Sequence, residues 1–253
     1  MNVLAILQAR TSSSRLPGKV LKPILGRPML RHQLDRVRRA RSLDALVVAT
    51  STDPGDDPIE ALCASAGVAC FRGSLDDVLD RFYQAALVHH PRLVVRLTGD
   101  CPLVDPALID RLVDFFDSNR FDLAATADTF PDGLEVEVMR FDILERAWKD
   151  AVRPSDREHV TLLVRRQPER FRVGLYRGDR DLSQMRWSVD EPQDFELVRR
   201  IYEALYPRNP AFTTDDVLSL LATQPALVEL NRGIPRNEGL QRSLAADPTK
   251  PLG

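Results

Sequence analysis

Val3 to Leu7 is an apolar run without polar alternation, and it stops abruptly at Gln8. A strand of that kind must be covered on both faces, which calls for a mostly parallel sheet between two layers of helices. The loop that follows carries Arg10, Arg15 and Lys19 among three serines and Gly18. Small side chains let backbone N–H groups approach phosphate oxygens, and the cations neutralise charge that water would otherwise solvate. This pattern implies a polyphosphate site, read here as a nucleoside triphosphate, with a metal and a second substrate supplied by the rest of the chain.

The following segments repeat the theme. Helical spacing at Leu30, Leu34 and Val37 follows Pro28, and Ala45 to Ala49 reads as a second buried strand. Asp57-Pro58-Ile-Glu60 is a capping box, with the helix stopped at Gly67. Val68–Phe71 is a third strand, a helix capped by Ser74 or Asp76 runs to His89, and Leu93–Leu97 is a fourth strand. Asp105-Pro106 opens another helix before a strand at Leu123–Ala125. Strand and helix alternate to about residue 125, as in a doubly covered α/β sheet, whose ligands sit at the carboxyl ends of the strands. The 8–19 loop and the turn Thr98-Gly-Asp-Cys-Pro102 both lie at such ends.

Beyond residue 126, Glu135-Val-Glu-Val-Met139 alternates like a strand with one wet face. Helices are expected over Phe141–Ala151, Asp156–Gln167, Pro192–Leu205 and Thr214–Ala222, with strands at Phe171–Tyr176 and Trp187–Val189. The polar tail after Gln224 is expected to wrap the surface or to be partly mobile. At 253 residues the chain fits one α/β domain.

A net charge of -2 gives no reason to expect nucleic acid or an acidic membrane as a partner. No apolar run approaches the ~20 residues of a membrane span, and the N-terminal apolar residues end too early for a signal peptide. Cys63, Cys70 and Cys101 lack metal-ligand spacing and cannot all pair, which suits reduced thiols in the cytoplasm. Gly18-Lys19 is not a P-loop: Ser13 stands where the first glycine belongs, and Val20 replaces the magnesium-binding hydroxyl. No GxGxxG follows the first strand, so a dinucleotide site is disfavoured.

Ala9-Arg10-Thr-Ser-Ser-Ser-Arg15-Leu-Pro-Gly-Lys19, with Gly26-Arg27-Pro28-Met29 behind it, resembles the nucleotide-binding signature of the cytidylyltransferases that activate 3-deoxy-manno-octulosonate and acylneuraminate sugars, nearest to their SpsF-like branch. Phe71-Arg-Gly-Ser74, Thr98-Gly-Asp-Cys-Pro-Leu103, Asp132-Gly-Leu-Glu-Val-Glu137, Arg157-Glu-His-Val-Thr161 and Arg186-Trp-Ser-Val-Asp-Glu-Pro-Gln-Asp194 extend the likeness in order. The resemblance implies a Rossmann-like, GT-A-like nucleotidyltransferase fold, with residues 126–180 as a small β/α insertion for acceptor binding and homodimerisation. It implies CTP and a small acidic sugar as substrates and Mg2+ as cofactor. It further implies nucleotide contacts at Leu7, Ala9, Arg10, Ser13, Arg15, Lys19, Arg72, Arg81 and Thr98, of which Arg10 and Lys19 are catalytic.

Asp100, between a strand end and a proline-stiffened turn, suits a catalytic magnesium ligand beside phosphate oxygens, and the resemblance adds Asp190 as the second carboxylate. Asp190 equally suits a helix cap before Pro192, and Arg81 equally suits a pair with Asp77 one helical turn earlier. Thr98 replaces an amide common near the base in the larger family. Glu135, Glu137, Arg157 and His159 are the implied acceptor side. Glu135 and Glu137 either face the cleft together or form the wet face of an edge strand; Arg157 and His159 either bind an anion or are helix surface. Asp179-Arg-Asp181 matches the DxD of glycosyltransferases, but in an irregular loop.

Overall fold

In the computed structural model, which describes residues 2–236 and 238–247, strand β1 (Val3–Gln8) lies inside a seven-stranded sheet. The chain continues through a short hairpin, β2 (Pro23–Ile24) and β3 (Arg27–Pro28), into helix α1 (Met29–Val37) and strand β4 (Ala45–Ser51). Next come α2 (Asp57–Ala66), β5 (Ala69–Gly73), α3 (Val78–His89), β6 (Leu93–Thr98), α4 (Pro106–Asn119) and β7 (Leu123–Thr126). The second half supplies β8 (Glu137–Arg140), α5 (Phe141–Asp150), α6 (Pro154–Glu158), α7 (Leu162–Arg166) and β9 (Val173–Tyr176). It ends with α8 (Pro192–Leu205), α9 (Thr214–Thr223), α10 (Pro225–Val228) and α11 (Glu238–Ala246).

The sheet order is β5-β4-β1-β6-β8-β7-β9, with only β8 antiparallel to its neighbours. Val3, Ala5 and Leu7 enter the core beneath α1, α4 and α8, while Leu4 and Ile6 enter the core beneath α3 and α5. Two-faced burial is the reason β1 reads as continuously apolar. The carboxyl ends of β1, β4, β6 and β7 and the start of β8 share one edge, where Arg96 pairs in register with Glu137. Segment 126–180 contributes to the same sheet: β8 inserts between β6 and β7, and β9 forms its far edge.

Three local expectations are corrected. Asp156–Gln167 is two short helices, because His159 leaves helical geometry (φ -104°, ψ 47°) and Thr161 turns in to bond buried Glu137. Trp187–Val189 is extended but is not a strand; an isolated bridge joins Asp132 to Arg186 beside it. The cap of α3 is Asp77, whose carboxylate accepts from the Asp80 amide at 2.9 Å. In the tail, α11 packs on α6, and residues 248–253 lie outside the described residues.

Candidate active site

The loop after β1 is built around Thr11. Its carbonyl accepts from Ser13 N–H (2.9 Å) and Gly18 N–H (2.8 Å), and its amide and hydroxyl donate to one oxygen of buried Asp56. The other Asp56 oxygen accepts from Ser51, tying the loop to the end of β4. Gly18, at φ 67°, starts the short turn that sends Lys19 inward, where it is only 8% exposed.

A cavity of about 340 Å³ opens at this edge. Ala9, Arg10, Ser13, Arg15, Lys19, Arg81, Thr98, Asp100, His159 and Asp190 all line it. The expected phosphate cations divide into two kinds. Arg10 is exposed and has no ion-pair partner among the described residues. Beside it Arg81, fully buried, donates to the carbonyls of Ser74 and Leu75 rather than pairing with Asp77, and its Nε has no partner among the described residues. Burial first, and Arg10 second, push the Arg81 guanidinium down to about 10. Two adjacent cations without a carboxylate between them are a place for a polyanion.

Arg15 and Lys19 are paired already. Lys19 Nζ donates to the Val189 carbonyl (2.7 Å) and to Asp190 (2.8 Å), with Asp100 at 3.5 Å. Burial works against its charge, but Asp100 and Asp190 more than offset that and hold the ammonium above its ordinary value. Partial desolvation opposes the charge of half-buried Asp100, but Lys19 and bonds from Thr98 and Cys101 keep it below the usual carboxylate value. Arg15 reaches Asp190 (3.2 Å), Glu191 (3.3 Å) and, from the tail, Glu238 (2.7 Å).

Asp100 and Asp190 come to one cavity wall because the Val189 amide donates to the Asp100 carbonyl at 2.8 Å. The Asp132 carbonyl accepts from Trp187 and Ser188, holding their segment against Gly133. Gly133 sits at φ 104°, and a Cβ there would lie 2.3 Å from the Ser188 nitrogen. Asp190 is not the cap of α8: Glu191 and Asp194 form the capping box, Asp194 accepting from the amides of Asp190 and Glu191. Asp190 is thus left to face the cavity, steadied by Arg186 at 2.8 Å.

A second cavity of about 220 Å³ adjoins the first. Asp100, Asp190, Arg15, Arg96 and Thr98 belong to both walls, and Asp132, Glu135, Arg186 and Ser188 to the second. Glu135 accepts from Gly133 N–H (2.7 Å) and Arg236 (2.8 Å); burial first, then Asp132, raise its carboxyl above the ordinary value.

Other expected residues lie elsewhere. Leu7 is wholly inside the core, with no surface on either cavity. Arg72 staples β5 to the end of β4, pairing with Asp57 and Glu60 and donating to the carbonyls of Ser51 and Asp53. Arg157 forks onto Asp77 and the Trp148 carbonyl, outside both cavities, whereas its neighbours Glu158 and His159 line the first. Glu135 and Glu137 do not face the cleft together: β8 begins only at Glu137, which is buried with Arg96, Thr161 and Arg165. Sequence reasoning passed over Arg96, although a charge inside Leu93-Val-Val-Arg-Leu97 was a legible signal. It also passed over the tail: Gly239, Arg242 and Ser243 line the first cavity, and Ser243 meets His159 at 2.9 Å.

Among the described residues no three His, Cys, Asp or Glu side chains converge as a metal cluster. Asp100 and Asp190 nevertheless share one cation in Lys19. Two carboxylates, completed by phosphate oxygens and water, are a normal donor set for magnesium, so these residues fit such an ion.

A family model described as Cytidylyltransferase matches residues 4–212. The spore coat polysaccharide biosynthesis protein SpsF of Bacillus subtilis is 34% identical over 231 residues, 88% of this chain and 95% of that protein. The solved structure of a cytidylyltransferase from Leptospira borgpetersenii superposes with a TM-score of 0.87 at 30% identity, covering 93% of this chain and 100% of that one. CMP:2-keto-3-deoxy-manno-octonic acid synthetase complexed with CTP shares the fold, with a TM-score of 0.62 at 18% identity over 81% of this chain and 99% of that one. A fold arranged around the 8–19 loop, joined to a match that runs from β1 to the start of α9, makes this chain a member of the cytidylyltransferase family.

Proposed function

We propose that the chain transfers the cytidylyl group of CTP to an oxygen of a sugar acid and releases pyrophosphate. One observation carries this reading: Asp100 and Asp190 stand in the shared wall of two adjoining cavities, one cationic and one rich in hydrogen-bonding groups. In it the first cavity takes CTP and the second the acceptor. Arg10 and Arg81 bind the triphosphate, and Lys19 and Arg15 stabilise the charge that grows on departing pyrophosphate. Magnesium, when held by Asp100 and Asp190, supplies charge neutralisation at the phosphates and lowers the pKa of the attacking hydroxyl. Glu135, Arg186 and Ser188 orient the acceptor, and His159 with Glu158 borders the nucleotide.

The acceptor class follows the octonic acid handled by the structural neighbour named above. Three free thiols suit a cytoplasmic enzyme, and no helix among the described residues is long and apolar enough to cross a membrane. Homodimerisation through 126–180 belongs to the same proposal; β9 there is an edge strand with Leu175 half exposed. Pyrophosphate release measured with each of four nucleoside triphosphates and a panel of sugar acids tests the reading. CTP-selective, acceptor-dependent release is expected; CTP binding without release under every acceptor would make the chain a non-catalytic binder.

A further inference from the structure

Asp100 sits in the Thr98–Cys101 turn, whose first and last carbonyls are both held by a side chain of α1. Gln33, on α1 and 0% exposed, donates from its single amide nitrogen to the carbonyls of Thr98 (2.7 Å) and Cys101 (2.9 Å). Those two residues close the turn by their own bond, Cys101 N–H to the Thr98 carbonyl at 3.2 Å, with Gly99 and Asp100 between them. Further along, Tyr202 donates to the Pro102 carbonyl and Arg36 to the Val104 carbonyl. Gln33 lines neither of these two cavities. Its Oε1 has no hydrogen-bond partner among the described residues. A buried amide that leaves its oxygen unbonded while both N–H groups grip the ends of one turn is spent on the shape of that turn.

We propose that Gln33 is a positioning residue for Asp100: it fixes the Thr98–Cys101 turn so that the Asp100 carboxylate is held on the cavity wall it shares with Asp190. The inference rests on the reading of Asp100 as a metal ligand. Partners that orient a ligand without touching the metal commonly set its affinity by one to two orders of magnitude.

The test uses the full chain with CTP, without acceptor, and reads free Mn2+ by electron paramagnetic resonance. Gln33→Met, close in volume but without the donors, is expected to weaken Mn2+ binding to the protein–CTP complex by about tenfold or more. Metal-free CTP binding should stay within about threefold, since the cations of the first cavity are untouched. Tyr202→Phe, which frees the Pro102 carbonyl instead, is expected to lower the melting temperature and leave Mn2+ affinity in place. If Gln33→Met does not fold, Gln33→Asn, whose amide is too short to span both carbonyls, is expected to show the same loss.

A Gln33 variant that melts earlier yet binds Mn2+ as the wild type does would overturn the positioning role. Asp100→Asn separates that failure from failure of the metal reading. If Asp100→Asn abolishes Mn2+ binding while the Gln33 variants keep it, only the positioning role falls. If Asp100→Asn also keeps it, the metal reading falls too.

Discussion

The amide of Val189 donates to the carbonyl of Asp100 across 2.8 Å, joining two segments 89 positions apart in the chain. That bond brings Asp190, the next residue, to the cavity wall that holds Asp100, and Lys19 reaches both carboxylates. The sheet edge alone would not bring these acids together; the segment 186–190, held by Asp132 and Gly133, does.

Lys19→Met is expected to lower kcat by about 10²–10³-fold, the usual cost of removing one preorganised charge from a transition state. It also leaves Asp100 without its ammonium partner, so the folded protein should melt earlier. Steady-state pyrophosphate release and a thermal melt on the same preparation check both outcomes.

Glu238 pairs with Arg15 at 2.7 Å, and under the proposed function it would compete with phosphate for that cation. Both side chains are partly exposed, so the contact contributes at most about 1 kcal/mol. Glu238→Gln should therefore lower the KM for CTP by about two- to fivefold with little change in kcat. Initial rates against CTP concentration decide it, and a raised KM would assign Glu238 to substrate binding instead.

Gly133→Ala places a Cβ 2.3 Å from the Ser188 nitrogen and forces an L side chain to φ 104°. Backbone must move, at a cost of about 3 kcal/mol. Melting temperature should fall by roughly 6–12 °C, and activity should fall further than stability accounts for, because Asp190 rides on the displaced segment.

Glu137 carries a pH signature. Burial opposes its charge, but Arg96, Arg165 and the Thr161 hydroxyl more than offset this and hold it below its ordinary value of 4.5. A carboxylate depressed by folding contributes stability above its unfolded pKa and loses it as pH falls through the folded one. Glu137→Gln should cost about 3–5 kcal/mol at pH 7. The gap to wild type should narrow below about pH 4, as read by urea denaturation across pH.

The first strand and its loop were legible because an apolar run with no wet face has few places to go, and small residues with cations after it have few uses. Asp100 was legible from its turn at the same edge. Glu135 and Glu137 were not, because their alternation looks like one strand while Gly133 and the Asp132 bridge hold back the start of β8 to Glu137. Arg72 and Arg157 look like ligands in sequence, yet their partners Asp57, Glu60 and Asp77 are chosen by tertiary contact. Gln33 reads as one more residue of an amphipathic helix, since nothing local reveals which turn its amide will meet. The tail helix was hidden by its polar, Pro- and Gly-containing composition.

Calorimetric titration of CTP, with and without Mg2+, into wild type and Asp100→Asn is the most direct test of a triphosphate held between the cationic loop and a metal on Asp100 and Asp190. Wild-type affinity should rise about tenfold or more on adding Mg2+, and Asp100→Asn should lose that gain while still binding metal-free CTP. Equal CTP affinity with and without Mg2+, or an undiminished Mg2+ effect in Asp100→Asn, would contradict it.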